Sequence, residues 1–328
     1  MSKLVTIYGG SGFVGRYVAQ RMAKEGWRVR VAVRRPNEAL FVRPYGVVGQ
    51  VEPVLCNIRD DASVRAALRG ADAAVNCVGI MNAVGRNSFD AVQAEGAGRV
   101  ARMAATEGVA RLVHLSAIGA SKDSPSAYAA SKAKGEEAVR TAFPGAVILR
   151  PSVIFGHEDR FFNRFAAMTR ISPVLPAFGA GTKFQPVHVE DVAAAAVLGV
   201  LGQAAPELYE LGGPEVASFA ELMHEMLKVI HRQRLVLPLP RILGRLIAFG
   251  GDAVQSLTLG LIENKLLTGD QLRNLYVNNV VSPSARGFAD LGITPSAMGA
   301  VLPDYLWPYR PSGQYDAITT SAKNLRKA

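Results

Sequence analysis

Short apolar runs recur along the first half of the chain, and the segments between them carry apolar residues at helical spacing. Residues 3–8, 27–33, 72–79 and 111–117, with a further run starting at Val51, are enriched in Val, Ile, Leu and Ala. Runs of this length read as strands buried on both faces. Residues 16–24, 62–69, 89–107 and 131–143 read as the helices between them. Strands alternating with helices of this size predict an α/β fold, a doubly wound parallel sheet of Rossmann-like arrangement.

The second half is less regular and predicts a smaller C-terminal lobe. An Ala-rich run from Val192 reads as a packed helix ending near Leu201, and residues 208–213 as a late strand. Residues 218–231 read as a helix with Ser218 as N-cap and Glu221 completing a capping box. A Leu/Pro lead-in over 235–240 feeds residues 241–249, where Ile242, Leu243, Leu246, Ile247 and Phe249 make an apolar face flanked by arginines. Such a helix either belongs to a subdomain core or lies in a membrane interface with its arginines at the headgroups. The expected division is a sheet domain over 1–150, a lobe over 151–305 with segments returning to the sheet, and an extended basic tail over 306–328. That tail has too few apolar residues to fold alone.

Composition narrows the classes. The chain has 328 residues, 49% of them hydrophobic and 20% charged, enough for a sizeable core. Cys56 and Cys77 sit in apolar runs with neither metal nor disulfide spacing, as in a reducing compartment. No metal site is expected. No uncharged apolar run approaches the roughly 20 residues of a transmembrane span. A first strand starting at residue 3 or 4 leaves no room for a signal or transit peptide. The net charge of +10 suggests an acidic partner surface or anionic lipid headgroups. The basic residues are scattered and resemble no nucleic-acid module, so nucleic acid is not an expected partner.

The chemistry begins at the exit of the first strand. Gly9, Gly12 and Gly15 are spaced three apart in a turn between that strand and a helix, with Phe13 and Val14 inside the turn as further candidates to meet the cofactor. The pattern suits a tight turn, a close approach of backbone N–H groups to a pyrophosphate, and a helix packed against its strand. Residues 1–150 therefore read as a dinucleotide-binding domain. Arg34 and Arg35 end the second strand, where an acidic residue would accept from a ribose hydroxyl and an arginine accommodates a 2′-phosphate. They argue for NADP(H). Asn57 and Ile58 stand where an adenine ring is bracketed, and Cys77, Val78 and Gly79 put small residues beside the cofactor. Tyr128 and Lys132 lie four apart on a helix, and an ammonium close to a phenol lowers its pKa toward that of a working proton donor.

Residues 1 to about 200 resemble the short-chain dehydrogenase/reductase superfamily, in its extended or atypical branch. The glycine loop matches its cofactor loop, Tyr128 and Lys132 its catalytic pair, and residues 150–156 the strand leading into its substrate lobe. The resemblance implies that Ser116, Pro151 and Val153 also face the cofactor. Two departures stand out: Ala117 occupies the assisting serine position, with Ser116 one residue early, and Gln93 replaces an expected asparagine. Residues 150–168 and 184–192 are similar to the nucleotide-binding accessory subunits of respiratory complex I, an atypical branch of the superfamily. This likeness implies NADPH held for structure or regulation, other complex I subunits as partners, and a peripheral place on the cytoplasmic face of a bacterial inner membrane. The competing expectation is an active NADP-dependent reductase or epimerase using Tyr128 and Lys132. Arg150, His157, Glu158, Asp159 and Arg160 read either as a charged cluster facing a substrate lobe or as an ion-pair network joining two subdomains. His188 reads as a packed or capping residue.

Overall fold

The computed structural model describes residues 2–257, 264 and 267–315. The early strands are β1 (Leu4–Tyr8), β2 (Arg28–Val33), β3 (Val51–Leu55), β4 (Ala73–Asn76), β5 (Arg111–Leu115) and β6 (Val147–Pro151). Four short strands follow, β7 (Ile154–Phe155), β8 (Val174–Phe178), β9 (Lys183–Phe184) and β10 (Val187–His188), then β11 (Leu208–Leu211), β12 (Ala217–Ser218) and β13 (Leu235–Leu239). The main sheet is parallel throughout, in the order β11-β6-β5-β4-β1-β2-β3. Strand order reverses between β1 and β4, and in open α/β sheets ligands bind in the crevice at that switch.

The helices are α1 (Phe13–Lys24), α2 (Asp61–Leu68), α3 (Glu95–Thr106), α4 (Ala127–Ala142), α5 (Phe162–Met168), α6 (Val189–Leu201), α7 (Phe219–Val229), α8 (Arg241–Leu257), α9 (Gly269–Asn274) and α10 (Met298–Leu306). One face of the sheet is closed by α1 and α6, through Val18, Met22, Val192 and Ala196. The other is closed by α2, α3 and α4, through Val64, Leu68, Val100 and Val139. A third cluster, with Phe155, Phe162, Phe219, Met226 and Leu306, is the core of the smaller lobe. The second half thus supplies β11 and α6 to the first, pairing Leu208 with Ile148.

Local signals were accurate where the partners are local. Ser218 caps α7, with Glu221 N–H donating to Ser218 Oγ at 3.3 Å and Ser218 N–H to Glu221 Oε2 at 2.7 Å. His188 precedes α6 without a side-chain cap and packs its ring 5.4 Å from that of Phe155.

Four expectations change. The helix carrying Tyr128 begins at Ala127, not at Ser131. The segment 89–107 is not one regular helix: Asp90–Ala94 makes a π turn before α3. A Cβ at Gly135 on α4 would collide with the Gln93 carbonyl that this turn presents, so α4 receives the bulge only through a glycine.

The charged residues in and after β6 are not one cluster. Arg150 turns to Glu136 and Glu210, whereas Glu158 bonds Arg16 at 3.0 Å and Tyr17 at 2.8 Å. Asp159 is buried and accepts from the backbone of Gly156, Phe161 and Asn163 and from Tyr305 Oη at 2.6 Å.

The chain is docked beyond residue 306. Leu306 is fully buried, Tyr309 Oη bonds Asn163 Oδ1 at 3.1 Å, and Arg310 Nε bonds the Val229 carbonyl at 3.0 Å. Residues 316–328 of the expected tail lie outside the described residues.

Candidate functional site

A cavity of about 230 Å³ opens at the carboxyl ends of β1 to β4, the switch point of the sheet. Its floor is the glycine turn. Gly9 has φ +72°, a conformation that costs glycine nothing, and its N–H donates to the Ala32 carbonyl at 2.9 Å. Gly12 is the N-cap of α1, so that helix points its free N–H groups and positive dipole end at the cavity. Gly15 lies one turn further, and a Cβ there would collide with the Gly9 carbonyl and come within 2.7 Å of Gly10 Cα. Phe13 and Val14 start the helix behind the turn and do not line the cavity. Val14 is buried in the core.

Several of the candidate residues form its walls. Arg34 lines the cavity at the end of β2, as do Asn57 and Ile58 after β3 and Cys77, Val78 and Gly79 after β4. Arg35 does not; it is exposed and pairs with Glu38 at 3.1 Å. Arg59 is a lining residue that the sequence reading passed over. Its place directly after Ile58 was the available signal. Burial raises the Cys77 thiol to about 12, so it lines the cavity as a small neutral group.

Beyond this cavity, past Gly79, lie Tyr128 and Lys132. The amino end of α4 is capped twice. Ser126 Oγ accepts from Ala129 N–H at 3.3 Å, and the Asp270 carboxylate of α9 accepts from Ala127 N–H at 2.7 Å and Tyr128 N–H at 3.1 Å. The local Ser126 cap places the helix start at Ala127, and the Asp270 cap, which nothing local in the sequence signals, fixes the turn bearing Tyr128. The Tyr128 ring meets Phe89 edge-on at 6.0 Å. Lys132 Nζ donates to the Leu115 carbonyl at 3.1 Å. Burial lowers Lys132 to about 8 and raises Tyr128 to about 12. The expected depression of the phenol by the ammonium is therefore absent: desolvation acts on Tyr128 without a compensating charge.

Ser116 also departs from expectation. It is buried, and its hydroxyl donates to Glu136, itself clamped by Arg150 Nε and Nη2 at 2.8 Å each. The serine belongs to this ionic network and not to a proton relay with Tyr128. Pro151 closes β6 and accepts from Ile118 N–H at 3.0 Å, while Val153 N–H donates to Asn279 Oδ1 at 2.9 Å. Neither lines the cavity.

The residues present fit a dinucleotide. The glycine cradle leaves backbone donors open to a phosphate, and Arg34 stands at the ribose end. Gln93 provides a further observation: its Nε2 donates to Ser131 Oγ at 3.0 Å, but its buried Oε1 has no partner. A Cβ on Gly79 would sit 3.5 Å from both Gln93 Oε1 and Lys132 Nζ. A hydroxyl at that spot would donate to one and accept from the other.

The sequence model of the NAD dependent epimerase/dehydratase family matches residues 5–212, the whole of this sheet and its cavity. The chain belongs to that family. Among curated proteins it is similar to an Arabidopsis thaliana mitochondrial protein, NADH dehydrogenase (ubiquinone) 1 alpha subcomplex subunit 9. The two are 33% identical over 326 residues, 98% of this chain and 81% of the relative. It is also similar to a ceramide reductase of Caulobacter vibrioides, 36% identical over 191 residues, 58% of this chain and 59% of that protein. The fold matches an NADPH-dependent quinone oxidoreductase of Escherichia coli solved with NADPH. That match has a TM-score of 0.67 at 18% identity and covers 92% of this chain and 98% of the other.

As a family member this chain keeps the glycine cradle and the Tyr128–Lys132 pair on α4 while directing Ser116 to Glu136. Among the described residues, no group of three or more His, Cys, Asp or Glu side chains could hold a metal ion.

Proposed function

We propose that this protein is an NADPH-binding accessory subunit of respiratory complex I, peripheral to the cytoplasmic face of a bacterial inner membrane, and that its role requires no turnover. The observation carrying this reading is the similarity to the Arabidopsis complex I subunit over 98% of the chain, which spans both lobes and not the sheet domain alone. The site supports it from the chemical side. A general acid works best with a pKa near the operating pH, and burial takes Tyr128 the other way. Ser116 is occupied elsewhere.

In this reading the amino end of α1 holds the pyrophosphate, Arg34 the 2′-phosphate, and Lys132 with Gln93 a ribose hydroxyl. The bound nicotinamide would supply hydride chemistry. The residues of this chain hold and orient the dinucleotide and keep water from it.

Arg34→Ala tests the cofactor. A charge-assisted hydrogen bond to phosphate contributes roughly 1.5–3 kcal/mol, so NADPH affinity should fall about tenfold or more while NADH affinity changes little. Calorimetric titration with both nucleotides measures it. Equal losses would overturn the 2′-phosphate assignment.

A second reading, an NADP-dependent reductase, is favoured by the ceramide reductase match and by the retention of Tyr128 and Lys132 on one helix. Tyr128→Phe separates the two. For a subunit, NADPH binding and the host complex's ubiquinone-linked activity should persist. For a reductase, losing the proton donor should lower turnover by about 10²–10⁴. The direct test is deletion of the gene followed by isolation of complex I. The subunit reading expects the protein to co-purify with the complex and its loss to weaken the complex's activity or stability. A complex unaffected by the deletion would overturn that reading.

A further inference from the structure

Helix α8 has its large and small residues reversed relative to an ordinary packed helix. Gly244 and Ala248 face inward and are buried. Ile242, Leu246 and Phe249 face outward, 70%, 64% and 76% exposed, with Leu243 and Ile247 about two-fifths exposed beside them. The close packing explains the inner face: a Cβ at Gly244 would lie 2.8 Å from Leu272 Cδ1 of α9 and 3.0 Å from Phe178 Cδ1 of β8. The helix sits down on its own lobe through a glycine, where a large side chain has no room. That leaves the outer face unexplained, since nothing among the described residues of the lobe requires five large apolar side chains in water. A contiguous exposed apolar face of this kind marks an interaction surface.

Its charges say what covers it. Arg241 and Arg245 stand one turn apart along the margin of the apolar face; Arg241 lies 5.1 Å over the Tyr276 ring, and Arg245 is exposed. The acidic residue of the helix, Asp252, is taken up by Asn264 Nδ2 at 2.9 Å and Gly269 N–H at 2.8 Å. The margin is therefore cationic on a chain of net charge +10. Among the described residues a second copy would bring the same arginines to the same face with no carboxylate on that face to receive them. An anionic bilayer meets both halves of the pattern, acyl chains for the apolar residues and phosphates for the guanidinium groups. Among the described residues no helix is long and apolar enough to cross a membrane.

We infer that α8 is a membrane-interface helix: Ile242, Leu246 and Phe249 enter the boundary between headgroups and acyl chains of an anionic bilayer, and Arg241 and Arg245 engage its phosphates. The inference rests on α8 itself and stands apart from the complex I reading. The docked helix adjoins the nucleotide cleft. Gln255 Nε2 donates to the Ala83 carbonyl at 3.1 Å, and Asn82 Nδ2 to Gln255 Oε1 at 3.2 Å, in the loop that follows the cavity-lining Gly79 and Ile80.

The experiment is co-sedimentation of the full chain with vesicles of phosphatidylcholine alone and of phosphatidylcholine mixed with phosphatidylglycerol. The protein should partition onto the anionic vesicles and more weakly onto the neutral ones. Each arginine near an anionic surface contributes about fivefold in partitioning, so Arg245→Glu should lower binding by at least that factor on anionic vesicles only. Leu246→Asp with Phe249→Asp should remove binding to both. Unchanged NADPH affinity shows that these surface variants keep the fold. Three results would overturn the inference. One is a wild-type chain that stays with neither vesicle. Another is self-association that the double variant abolishes while vesicles remain unbound. The last is a double variant lost from complex I although the wild type ignores vesicles, which makes the partner a protein.

Discussion

Gly15→Val is expected to abolish measurable dinucleotide binding while leaving the chain folded. A side chain at this position meets two backbone groups, the Gly9 carbonyl, whose carbon lies 3.0 Å away, and Gly10 Cα at 2.7 Å. Neither can rotate away as a flexible side chain would, so the turn must separate from the first turn of α1. Overpacking of this kind costs typically about 1–3 kcal/mol of stability. Binding loses more. The phosphate site consists of N–H groups held in one geometry, and losing two charge-assisted hydrogen bonds at roughly 1.5–3 kcal/mol each lowers affinity by at least about a hundredfold. Gly299→Ala is the matched control, because a Cβ there meets nothing within 4 Å. Calorimetric titration and urea denaturation of both variants make the comparison. A Gly15→Val protein that bound NADPH as tightly as the wild type would remove the glycine turn from the cofactor site.

Arg150→Met should be the most destabilising single change within the ionic network at the β6–β11 edge of the sheet. Arg150 makes two bonds of 2.8 Å to Glu136 and one of 3.4 Å to Glu210, and both carboxylates are buried. The guanidinium joins α4, β6 and β11 at the edge where the second half of the chain completes the sheet. Removing one partner of a buried ion pair costs about 3–5 kcal/mol, because the remaining charges stay desolvated.

Urea denaturation of the wild type and Arg150→Met measures the loss. A variant as stable as the wild type would mean that these ion pairs contribute nothing net to the fold.

What could be read without the fold was whatever depends on neighbours in the chain. The sheet strands, the glycine spacing and the Ser218–Glu221 capping box are set by alternation, turn chemistry and hydrogen bonds across three or four residues. They appear in the structure where the sequence puts them, except that the strand read over 150–156 is β6 at Val147–Pro151 followed by the short β7. Arg34, Asn57 and Gly79 belong to the same class, because the ends of parallel strands in this topology converge on one crevice. Tertiary contact decided the rest. Asp270 caps α4 from 142 residues away, holding the Tyr128 turn that Ser126 opens. Glu136 and Arg150 claim Ser116, a contact that no spacing announces. Leu306 lies in a core shared with Phe155 and Met226, so a stretch read as tail is part of the lobe. The periodicity of residues 241–249 showed that α8 has an apolar face but not which way it points. That was settled by Gly244, which admits Leu272 and Phe178 so closely that the small side must face the protein and the large side must face outward.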